Sequence, residues 1–135
     1  MSNELWRAVL AVVVGAHGIG HVLFLVPSLG LADWGQSTRS WLLTNLAGDT
    51  VTRAIGSLLW LAATIGFVAV AAGILGQKEW WRMLAVGSAG LSLFGLALFL
   101  NRQPTSPMLN AALFDLAVLV ALLWLHFPPK SVVGP

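Results

Sequence analysis

The sequence predicts an all-α integral membrane protein, a four-helix transmembrane bundle with a short interfacial amphipathic helix in the first loop. Three observations predict it. Hydrophobic residues make up 58% of the chain and charged residues 9%, where soluble domains carry about a quarter charged. Four apolar runs, at about residues 5–26, 51–75, 83–100 and 108–127, approach the roughly 20 residues a bilayer crossing needs. Every proline falls outside those runs, where a missing N–H does no damage to a helix.

The first run opens after a short polar tail, with Trp6 and Arg7 as an interfacial anchor, and PSLG is expected to end it at Pro27. A cleaved signal peptide is the competing reading, but the apolar core is too long and is interrupted by two histidines. Residues 31–50 form the longest connection. Within it, TRSWLLTNLAGD carries Trp41, Leu42, Leu43 and Leu46 among Thr, Arg, Asn and Asp, which suits a short amphipathic helix capped near Ser37 and stopped by Gly48. It reads either as a lid over the bundle mouth or as a plain interfacial float.

The second run is expected to start after an Asp49–Thr50 cap and to end at Gly76. GQKEWWR is then a tight turn whose Trp80 and Trp81 mark the opposite interface. The third run is closed by NRQPTSP, and the fourth by Pro128–Pro129. The tail SVVGP is too short to predict any element. The whole chain reads as one transmembrane domain with no internal repeat.

The net charge of +2 rests on few residues, near predicted helix ends, where Lys and Arg reach lipid headgroups. No basic patch suits nucleic acid. Cysteine is absent, which excludes disulfides, thiolate metal sites and cysteine nucleophiles. Arg7, Lys78, Arg82 and Lys130 on the terminal side outnumber Arg39, Arg53 and Arg102 on the other, so the charge rule favours cytoplasmic termini.

Polar residues inside the runs are the functional signal. His17 and His21 are four apart, so they stack on one helix face. Arg53, Ser57, Trp60 and Thr64 form one face of the second run, Ser88, Ser92 and Arg102 one face of the third. The fourth offers Asn110 and, deeper, Asp115. His21 lies six residues before Pro27 and Asp115 seven after Met108, so both sit roughly 9–11 Å in from one membrane face. A bundle hiding polar groups from lipid would bring these stripes together in one layer.

Such a layer allows several chemistries. His17, His21 and Asp115 have the residue types and spacing of a three-ligand metal site with open positions. HEXXH is not matched, because Gly18 stands where the glutamate would be. Haem on one histidine is a second option; His126 is at the wrong depth to supply the other. A third uses no cofactor: His21 and Asp115 as a proton donor–acceptor pair, with Arg53 or Arg102 holding an anionic headgroup or a quinone oxygen. Structural glue between helices is the plain alternative, above all for the serines.

HGIGH (17–21), LLWLAATIGFVAVAAGIL (58–75), WWRMLAVGSAGLSL (80–93) and NAALFDLAVLV (110–120) resemble a group of small four-span bacterial membrane proteins with HGxxH in the first span. The chain is also loosely similar to DoxX-type proteins. The first resemblance implies a bacterial inner membrane protein and singles out His17, His21, Trp60 and Asn110; Asp115 lies outside its pattern. The second implies a quinone or membrane redox complex as partner.

The expected function is a small membrane subunit or binding protein holding a lipophilic ligand or cofactor (quinone, lipid, haem or metal). His21 and Asp115 are the candidate catalytic pair. His17, Arg53, Ser57, Trp60, Ser92, Arg102 and Asn110 are the candidate ligand contacts. Two alternatives stand: an intramembrane enzyme, and a structural subunit of a larger complex or oligomer.

Overall fold

A computed structural model describes residues 2–100 and 103–134. Every regular element among them is helical: α1 (Asn3–Gly20), α2 (Val22–Leu29), α3 (Leu43–Leu75), α4 (Trp81–Leu98), α5 (Ser106–Leu119), a π-helical turn at Val120–Trp124, and α6 (Lys130–Val133). Four stretches, Asn3–Leu29, Leu43–Leu75, Trp81–Leu98 and Ser106–Trp124, are long and apolar enough to cross a membrane. Their outward faces expose Val12, Leu58, Ile65, Met83 and Leu113, the ordinary exterior of a helix in lipid. Arg102 lies outside the described residues.

The first span begins at a side-chain cap, where Ser2 Oγ accepts from the Leu5 N–H at 3.2 Å. It does not stop at Pro27. The helix breaks instead at His21, whose N–H closes on the Gly18 carbonyl at 3.2 Å, the tighter three-residue turn. It then resumes as α2 to Leu29. Gly30 ends it with φ 75°, the Gly30 N–H bonding Pro27 O and the Leu31 N–H bonding Val26 O. That pair of bonds satisfies carbonyls left open at a helix end, so the stop comes from glycine in the left-handed region, three residues after the proline.

The loop helix differs from expectation. Residues 36–40 are non-helical and helix starts only at Leu43. The capping residue is Ser40: its Oγ accepts from the Leu43 N–H at 3.2 Å and donates to the Leu98 carbonyl at 2.6 Å. Trp41 Nε1 adds a bond to the Ala97 carbonyl at 2.9 Å. Open carbonyls at the end of α4 thus hold the segment down and move the helix start away from Ser37. At the expected stop, Gly48 has the non-helical angles φ 82° and ψ 171°, so a kink there divides the first turns of α3 from the rest.

At the opposite end, Gln77, not Gly76, takes the positive φ. Trp80 is exposed, but Trp81 is buried among Ala11, Val70, Ile74, Ala85 and Val133, so only one of the pair is free to anchor in an interface. The C-terminal tail, expected to be featureless, forms α6. Arg7 Nε and Asn3 Nδ2 bond the Val132 and Ser131 carbonyls at 3.0 Å each, and Val133 is fully buried.

Packing sets the shape of the bundle. α3 lies at its centre against α1, α2 and α4, and α4 carries α5, while α1 and α5 scarcely touch. Close approach of α1 to α3 depends on Gly18, where a Cβ would stand 2.7 Å from the Phe67 Cβ. The spans therefore follow one another round an arc, leaving a seam between the first and the fourth.

Candidate functional site in the seam between the first and fourth spans

The polar residues of the seam form a linked set. His17, on α1, meets Asp115, on α5, with 2.8 Å between Nε2 and Oδ1. One proton lies between them. Asp115 is completely buried, and its second oxygen, Oδ2, has no hydrogen-bond partner. His21 uses both ring nitrogens: Nδ1 lies 3.1 Å from the His17 carbonyl and Nε2 lies 2.7 Å from Ser92 Oγ on α4. A carbonyl only accepts, so Nδ1 carries a proton, and in the neutral ring the Nε2 lone pair faces the Ser92 hydroxyl. The break at His21 places this ring deep in the bundle, 1% exposed.

Aromatic rings wall the imidazoles. Phe114 stacks on His17 at 4.0 Å between centroids, and Phe67 meets the same ring edge-on at 4.7 Å. Phe67 also lies parallel to His21 at 5.8 Å. The two imidazoles are 4.8 Å apart and nearly perpendicular.

A cleft of about 420 Å³ opens beside them, within the roughly 300–1,000 Å³ of ligand pockets. α1, α2 and the break between them contribute His17, Gly20, His21 and Phe24; α5 contributes Asn110 and Phe114. A second crevice, about 210 Å³, runs toward the other membrane face between Leu10, Val14, Val70 and Val118. Val13 and Phe114 line both. The seam is thus polar at one end and apolar along the rest.

The structure therefore brings together His17, His21, Ser92, Asn110 and Asp115. It corrects the pairing: Asp115 bonds His17, and His21 bonds Ser92. Depth along a helix orders residues to within a turn and cannot choose between two histidines one turn apart. Ser92 is 1% exposed and does not line the cleft, so its hydroxyl offers no nucleophile to a bound molecule.

Three expected contacts fall elsewhere. The buried stripe of α3 runs Thr52, Gly56, Trp60, Ala63, Phe67 and Val70; it shares Trp60 with the polar stripe but otherwise lies one position earlier, so Ser57 falls on a half-exposed flank. Trp60 is buried among Phe24, Leu96 and Phe99 and fills the space a pocket would need there. Arg53 gives Nε to the Ser28 carbonyl at 3.1 Å and Nη2 to the Pro27 carbonyl at 3.3 Å. It caps α2 and, with Arg39, lines a separate hollow away from the imidazoles. Thr64 bonds back to the Trp60 carbonyl at 2.9 Å, the local alternative. His126 is exposed beyond the π-helical turn, far from the imidazoles in the seam.

Phe24, Phe67, Phe114 and Gly20 complete the site and were not foreseen. Their signal was present: Phe67 continues the Trp60–Thr64 face by one turn, and Phe24 continues the His17–His21 face. Compared with protein-family models, with curated proteins and with solved structures, the chain matches none.

Proposed function

We propose that the protein is an intramembrane binding protein that takes a neutral-headed amphiphile from the bilayer into the seam between its first and fourth spans. The observation that carries this reading is the shared wall of Val13 and Phe114, which joins a cleft lined by His17, His21 and Asn110 to an apolar crevice. A head with carbonyl or hydroxyl oxygens would bond the Asn110 amide and an imidazole, and its tail would lie in the crevice. A quinone or a lipid alcohol or ester has that form. Among the described residues no Lys or Arg lines the cleft, and Arg53 gives Nε and Nη2 to backbone carbonyls, which favours a neutral head over an anionic one.

Binding is preferred to hydroxyl- or carboxylate-based catalysis because, among the described residues, no serine, threonine or acidic side chain lines the cleft. The likeness to small four-span bacterial proteins supports a bacterial inner membrane as the setting.

Native mass spectrometry of protein extracted in mild detergent tests the reading. Gly20 lines the cleft and a Cβ there meets nothing within 4 Å, so Gly20→Leu is chosen to occupy the cleft, with circular dichroism checking that the bundle is intact. The wild type is expected to retain one lipid or quinone per chain and Gly20→Leu to lose it. Equal retention by both, or none by either, contradicts the proposal and leaves the His17–Asp115 bond as a tie between helices.

A further inference from the structure

We infer that the base of the cleft is a site for one divalent transition-metal ion, held by His17, His21 and Asp115. The inference deepens the binding reading, and rests on it only in taking the cleft as open to the bilayer.

Two histidines and one carboxylate each offer a ligand atom, and these atoms all lie within 4.8 Å of one another. Around an ion with bonds near 2.0–2.1 Å, tetrahedral ligand atoms stand about 3.4 Å apart. Binding requires the three side chains to close that gap.

The second observation is the carboxylate itself. Asp115 is fully buried, and its Oδ2 has no hydrogen-bond partner. A buried acceptor left open costs about 1–3 kcal/mol, more when charged. A cation shared by Asp115 and the imidazoles removes that cost. The 2.8 Å contact to His17 then gives way to two bonds to one ion.

His21 is oriented as a metal-binding histidine is. Its Nδ1–H donates to the His17 carbonyl, which fixes the tautomer and leaves the Nε2 lone pair as the ligand; bound histidines in metal sites are held this way. The Ser92 hydroxyl occupies that lone pair at 2.7 Å and is displaced when the ion binds. Two imidazoles and one carboxylate, with no thiolate in the chain, suit zinc or iron(II) over copper(I). Three protein ligands leave a position open, on the side where His17 and His21 line the cleft.

The test uses tag-free, full-length protein in detergent, stripped with a chelator and titrated with Zn²⁺ alone by calorimetry. Co²⁺ then serves as a spectroscopic probe of ligand number. One ion per chain is expected. Loss of an outer partner of a metal site costs roughly 10–100-fold in affinity, so Asp115→Asn and His17→Ala are expected to bind at least 100-fold more weakly. Asp115→Asn keeps an acceptor for His17 and so guards against misfolding, which circular dichroism checks. His126→Ala, exposed beyond the π-helical turn, is expected to bind as the wild type does.

No saturable binding by the wild type overturns the inference. So does undiminished binding by Asp115→Asn, or loss of binding in His126→Ala. Amphiphile retention is measured on the stripped protein, so the two proposals fail separately.

Discussion

His17 and Asp115 join the first span to the fourth by a 2.8 Å hydrogen bond, on the side of the bundle where those two helices otherwise scarcely touch. The Phe114 ring stacked on His17 adds an apolar contact at the same level. The seam is thus closed at one depth and open above and below it, which is how a lateral entrance and a stable bundle coexist.

That tie has a measurable strength. Hydrogen bonds between transmembrane helices average about 0.6 kcal/mol and reach about 1.7. A double-mutant cycle of His17→Ala with Asp115→Ala, read by denaturant unfolding in mixed micelles, is expected to give a coupling in that range. Asp115→Asn should retain part of it. Strict additivity of the two alanine variants contradicts the contact.

Gly18 and Gly20 are two residues apart yet predict opposite outcomes. A Cβ at Gly18 stands 2.7 Å from the Phe67 Cβ and 3.2 Å from the Thr64 carbonyl oxygen. Gly18→Ala therefore forces α1 from α3, at a cost of about 1–3 kcal/mol. Gly20→Ala meets open space in a helix and is expected to stabilise by about 0.5–1 kcal/mol. Thermal unfolding of the pair checks both signs.

Ser40 holds the long loop through its bonds to the Leu43 N–H and the Leu98 carbonyl. Ser40→Ala removes a helix cap and is expected to cost about 0.5–2 kcal/mol. Hydrogen exchange should rise at the Leu42 and Leu43 amides and leave the centre of α3 protected. Unchanged exchange there shows that the cap carries no weight.

Arg53 separates two kinds of headgroup. Because its guanidinium caps α2 at the Pro27 and Ser28 carbonyls, Arg53→Gln is expected to loosen the end of the first span while leaving retention of a neutral amphiphile unchanged. If native mass spectra of Arg53→Gln lose the bound molecule, an anionic head on that arginine explains the data better.

Much of this arrangement was legible in the residues. Length and hydropathy located all four spans, because a bilayer demands long apolar segments whose backbone groups are bonded internally. The depth argument placed the histidines and Asp115 in one layer. What it lacked was rotation about each helix axis. On α3 the buried face runs through Gly56 and Phe67 instead of Ser57 and Thr64, since ring packing on glycine outweighs hydroxyls that can bond their own backbone. Proline's local stiffness pointed to residue 27 as the end of the first span, while glycine at 30 and bonds from Arg53 set it. Those bonds come from another helix, and spacing within one helix carries no trace of them.

The most direct test of the seam is photo-crosslinking with an amphiphile that bears a neutral quinone-like head and a diazirine in its tail, mapped by peptide mass spectrometry in nanodiscs. The account predicts adducts on Val13, Phe114 and Val118, which line the seam. These are expected to fall in Gly20→Leu, while sparse background labelling of outward-facing Met83 and Trp124 stays constant. Labelling spread evenly over the lipid-facing surfaces, unaffected by Gly20→Leu, would contradict it.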